Sequence, residues 1–91
     1  MAFKVVDHRP APDGTYVVTF ESENREDLFR GDVFREAIKT ANLNGFLNAA
    51  VVGEGSIIPY RDGKEVTQLG SGTGPLVFRR TVKCGPVSGV F

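Results

Sequence analysis

The chain has 91 residues, 41% of them hydrophobic and 24% charged, with 11 Lys and Arg against 11 Asp and Glu. That length holds one modest core and leaves no room for a second domain, so residues 1–91 read as a single unit, far in composition from a disordered chain. Zero formal charge excludes a global field that would draw the protein onto nucleic acid or an anionic membrane, and leaves only local patches to do so.

Phe3 to His8 reads as a strand, with Phe3 and Val5 on one face and Val6 on the other, and Arg9 to Gly14 as the turn that breaks it. From Thr15 to Glu21 the alternation is clean. Tyr16, Val18 and Phe20 share one side while Thr15, Val17, Thr19 and Glu21 share the other, which predicts a half-buried strand and an N-terminal hairpin.

The period then changes. Phe29, Val33, Ala37 and Ala41 recur every four residues with Phe34 and Ile38 beside them, a helical stripe expected to face the sheet. Asn24 is a candidate N-cap with Glu26 and Asp27 in the first turn, and Gly31 followed by Asp32 allows a second start. Two readings therefore stand: one helix from Arg25 to Ala41, or a short turn and then a helix from Val33. Asn42, Asn44 and Gly45 supply the exit.

Phe46 to Val52 is a near-continuous apolar run and predicts a central strand ending at Gly53-Glu54-Gly55. Ser56–Tyr60 and Glu65–Leu69 flank Arg61-Asp62-Gly63-Lys64, and Asp-Gly between such segments is a hairpin signal. Pro59 has no amide to donate and points to an edge position. Gly70 to Pro75 reads as a long loop, Leu76 to Cys84 as a strand, and the tail from Gly85 to Phe91 as an edge strand or a cover over the core. The order ββαβββ gives an α+β domain: an antiparallel or mixed sheet of about five strands with one helical segment on a face.

Chemistry-bearing residues are few. Cys84 cannot form an intramolecular disulfide, and Met1 to Lys4 lack the apolar stretch of a secretory signal, which together predict a reducing, cytoplasmic setting. No run has the length of a membrane span. Cys84 and His8 are the one candidate nucleophile and neutral-pH base, and Asp7 next to His8 points to the opposite face of its strand. The glycines of Gly70–Pro75 lack the Lys-Ser/Thr and the following helix of a phosphate loop, so no cofactor is expected. Glu21, Glu23, Glu26 and Asp27 fit no calcium-loop spacing, and no metal is expected.

Charge is the asymmetry left. Residues 21–32 are rich in acids, whereas Arg61, Lys64, Arg79, Arg80 and Lys83 make the C-terminal third basic, which predicts opposite potentials at two ends of the molecule. Arg79 and Lys83 share a polar strand face. Arg80 falls on the apolar face with Phe78 and Val82, and needs the rim, a carboxylate or a partner. The Met1 start and untagged end read as a complete small gene product. These features predict a non-enzymatic interaction protein that occupies a surface of a larger protein or ribonucleoprotein complex, as a phage or mobile-element inhibitor of the anti-CRISPR kind would. Its expected binding residues are Arg79, Arg80, Lys83, Arg61, Lys64 and Tyr60, because Arg and aromatic anchors dominate interface energetics. Two alternatives stay open: nucleic-acid binding through the basic strand, and a small thiol enzyme using Cys84 and His8.

Overall fold

A computed structural model describes residues 3–46, 48–66 and 74–86. The elements in chain order are β1 (Phe3–Pro10), β2 (Tyr16–Ser22), a 3-10 turn (Arg25–Phe29), α1 (Gly31–Leu43), β3 (Ala49–Glu54), β4 (Ile58–Arg61), β5 (Lys64–Glu65) and β6 (Leu76–Pro86). The class is α+β as expected, with six antiparallel strands in place of about five, because the β4–β5 hairpin is counted in full.

The long strand β6 organises the sheet. One of its edges pairs with β2 and β2 pairs in turn with β1, while its other edge is shared, β4 pairing with Leu76 to Arg79 and β3 with Val82 to Pro86. The apolar run after the helix is thus a strand that, among the described residues, pairs with β6 alone, and it starts at Ala49 because Asn48, at φ 57, turns the chain first. That corrects the central position expected for it. β6 also extends past Cys84 into the segment read as a tail, and residues 67–73 and 87–91, including most of the glycine-rich loop, lie outside the described residues.

The helical stripe splits at Arg30, which is extended (φ −73, ψ 149), so the second of the two readings holds. Gly31 opens α1 and does not weaken its middle. Asn24 makes no side-chain cap; its backbone N–H donates to Ser22 Oγ (3.1 Å) and starts the 3-10 turn. At the other end, Gly45 (φ 96) closes a Schellman motif, its N–H donating to Asn42 O (3.3 Å) and that of Phe46 to Ala41 O (3.0 Å). Phe46 then packs against Tyr16, ring centroids 5.3 Å apart.

One layer of helix covers one face of the sheet. Val33, Ala37 and Ala41 are fully buried against Val18, Phe20, Val82 and Cys84, and small alanines let the helix lie close. Phe34 and Ile38 flank this seam, partly buried, and Leu28 from the 3-10 turn closes the end of the core. The hairpin around Asp62 (φ 55) and Gly63 (φ 78) is the two-residue turn that Asp-Gly implies. Pro59 lies on β4 between β6 and the hairpin partner, not at an outer edge. Its carbonyl accepts from Val66 N–H (2.9 Å), so the side without an amide faces the hairpin partner just past the two-residue β5, and the β6 ladder does not call on it.

Candidate functional site: the open face of the sheet

Strand alternation sends two populations of side chain to opposite faces. The register places Val18, Phe20, Phe78, Arg80, Val82 and Cys84 under the helix. It places Lys4, Asp7, Arg9, Thr19, Glu21, Arg79, Thr81 and Lys83 on the other face, where no element packs among the described residues.

This open face is hollowed at its centre. A cleft of about 300 Å³ is lined by Val6, Asp7 and Arg9 of β1, Thr19, Arg79 and Thr81 of the middle strands, and Ser56, Ile58 and Tyr60 on the β4 side. Val6 reaches it because the β1–β2 ladder slips between Val5 and Asp7, a bulge that turns Val6 onto the same side as Asp7. On the floor, the Thr19 and Thr81 hydroxyls meet at 3.2 Å. A second hollow of about 300 Å³, lined by Gly53, Glu54, Gly55 and Lys83, adjoins the first at Thr81. Gly55 approaches closely there: its N–H donates to Thr81 O (2.8 Å), and a Cβ would crowd that oxygen at 3.1 Å.

The charged groups on this face are held by one another. Arg79 Nε donates to Glu21 Oε2 (2.9 Å), Lys4 Nζ lies 3.7 Å from the other oxygen of the same carboxylate, and the Arg79 guanidinium lies 4.5 Å from the Tyr60 ring centroid. Arg9 Nε faces Asp7 Oδ2 at 3.5 Å. Lys83 Nζ reaches Asp13 Oδ2 (3.4 Å), and Asp13 is held below the usual carboxylate pKa, chiefly by the Thr15 hydroxyl and then by the Thr15 N–H. Glu21 therefore lies directly across from Arg79 on paired strands, which corrects the picture of acidic and basic segments at opposite ends.

Of the residues picked from sequence, Arg79, Tyr60 and Lys83 come together on this face. Arg61 and Lys64 sit on the hairpin at its end, Arg61 Nε donating to Gly74 O (2.9 Å). Arg80 belongs elsewhere. It is 8% exposed under the helix, where Nη1 donates to Leu28 O (2.6 Å), Nη2 to Glu54 Oε1 (2.7 Å) and Nε to Gly55 O (3.3 Å), and the guanidinium packs near the Phe29 and Phe34 rings. The carboxylate that its position called for is Glu54. Arg80 lies at the seam where the far edge of β6 passes from β4 to β3, and it ties that seam to the 3-10 turn.

Cys84 and His8 are not brought together. His8 pairs with Val18 and Val18 with Val82, which puts β2 between them and the backbones at least roughly 10 Å apart. His8 Nδ1 instead shares a hydrogen bond with the Tyr16 hydroxyl (2.6 Å), and burial pushes the Cys84 thiol pKa up. Among the described residues no three His, Cys, Asp or Glu side chains are placed to hold a metal ion, and no helix is long and apolar enough to cross a membrane.

The floor threonines, Asp7, Arg9, Ser56 and Ile58 were not selected from sequence. The polar side of β2 marked Thr19, but its juxtaposition with Thr81 depends on a register that linear alternation does not supply. No family model, curated protein or solved structure matches this chain.

Proposed function

We propose that the protein is a non-enzymatic interaction module whose binding surface is the open face of the sheet, centred on the cleft between β1 and β4. The observation that carries this reading is the one-sided architecture: a helix covers one face, and the other presents a hollow lined by Arg9, Arg79, Tyr60, Thr19 and Thr81. Half-buried Arg and Tyr side chains fixed by neighbours lose little entropy on binding, which suits them as anchors. Arg79, Tyr60 and Lys83 are the anchors on this face, with Lys64 and Arg61 at its end. Arg80 acts through the fold.

A protein surface is favoured over nucleic acid as the partner. Phosphate-backbone binding needs several cations in excess, whereas Lys4, Arg9, Arg79 and Lys83 on this face stand beside Asp7, Glu21 and Asp13, which leaves an excess of one. In its narrower form the proposal is that occupying this surface blocks a larger host complex, as an anti-CRISPR inhibitor does, a form that the small size of the chain suits. The test is affinity capture of a stoichiometric partner by the wild-type chain and by Thr81→Tyr, which fills the cleft from its floor. Capture lost with Thr81→Tyr while its fold is retained supports the reading, and unchanged capture contradicts it.

A further inference from the structure

We infer that the cleft is a receptor for one carboxylate, a Glu or Asp side chain presented by a partner protein; this deepens the interaction reading and rests on it. Three observations carry the inference. Arg79 and Arg9 both line the cleft, and each meets its own carboxylate through Nε, which leaves the outer guanidinium nitrogens outside those two pairs. A guanidinium presents a planar fork whose outer nitrogens match a carboxylate, so both side chains still offer donors.

The charge count agrees. Among the residues that line the cleft, Arg9 and Arg79 stand against Asp7, leaving one positive charge, and the Lys4 and Glu21 pair beside them adds none. A single carboxylate neutralises it, whereas a phosphate dianion would overshoot. The size agrees too, because about 300 Å³ is at the bottom of the range for small-molecule pockets and suits a side chain with its bound water. The hydroxyls of Thr19, Thr81 and Ser56 add donors on the floor and rim.

The experiment titrates the isotope-labelled full chain with a blocked Ala-Ala-Glu-Ala-Ala peptide, following the Nε–H signals of Arg9 and Arg79 by NMR. The Gln counterpart of the peptide and inorganic phosphate serve as comparison probes. The expected result is saturable shifts at both arginines, with affinity for the Gln peptide weaker by about fivefold or more, since the charge-assisted bonds are lost. Arg9→Gln, at an exposed position, should weaken Glu-peptide binding similarly, and Thr81→Tyr should abolish it; Lys39→Gln on the helix should change nothing. Equal affinity for the Glu and Gln peptides, tighter binding of phosphate, or no shift at peptide concentrations up to about 20 mM would each overturn the inference. A negative titration beside capture that still depends on Thr81 would defeat the carboxylate assignment alone. Capture indifferent to Thr81→Tyr would defeat the broader reading.

Discussion

Arg80→Met removes the guanidinium from the seam while keeping an unbranched side chain between the Phe29 and Phe34 rings. The loss can be worked from its partners. Leu28 O, deep beside a fully buried Leu28, is left without its 2.6 Å donor, and an unsatisfied buried acceptor costs about 1–3 kcal/mol. The Glu54 side chain is 51% exposed and rehydrates, so losing that pair costs under about 1 kcal/mol, well below the 3–5 kcal/mol of a fully buried pair. The two ring contacts together contribute about 1 kcal/mol more. Arg80→Met should therefore destabilise by about 3 kcal/mol, a large part of the roughly 5–14 kcal/mol expected for a domain of this size. Glu54→Gln, which keeps an acceptor for Nη2, should cost under about 1 kcal/mol. Urea unfolding reads this as a fall in midpoint of about 2 M for Arg80→Met against about 0.5 M for Glu54→Gln, with a slope near 1.5 kcal/mol/M. Equal midpoints for the two variants, or Arg80→Met within about 0.5 kcal/mol of wild type, would refute Arg80 as an internal tie.

Further outcomes follow from other parts of the fold. Gly45→Ala should lower stability by about 1 kcal/mol, because φ 96 is strained for any residue with a Cβ even though open space surrounds it; a neutral effect in urea unfolding would contradict the Schellman cap. Arg79→Glu should cost about 1–2 kcal/mol by setting like charges across β2 and β6, and adding Glu21→Arg should restore most of it in a thermal melt. For Cys84 the folded thiol pKa is raised, so the folded state holds its proton where the unfolded state releases it. Stability should be unaffected below the unfolded value near 8.5 and fall as pH rises above it, and native alkylation should be slow; rapid alkylation at neutral pH would contradict the burial.

Much of the fold is legible in the chain because it depends on local period. Tyr16, Val18 and Phe20 alternate, Val33, Ala37 and Ala41 recur at helical spacing, and Asp62-Gly63 marks its turn, each from near neighbours alone. The choice between one helix and a split one was open at Gly31-Asp32, and the extended Arg30 decides it. What escaped depends on contacts distant in sequence: the position of β3 follows from how two strands share one side of β6, which no local pattern encodes. The same cause limited the site. Arg79, Tyr60 and Lys83 were identifiable as residue types, but Arg80 was separated from them only by its meeting with Leu28 and Glu54, 52 and 26 residues away. Arg9 and Thr81 entered the site only once the ladders were aligned.

The proposed function requires that the protein bind through the open face of its sheet. The most direct measurement is quantitative affinity capture from a lysate of the source cells, using wild type, Thr81→Tyr on the open face and Lys39→Glu on the exposed side of α1, all with matched melting curves. Binding through the open face predicts one stoichiometric partner retained by wild type and Lys39→Glu and lost by Thr81→Tyr. Retention by Thr81→Tyr together with loss by Lys39→Glu would place the interface on the helix and contradict the account.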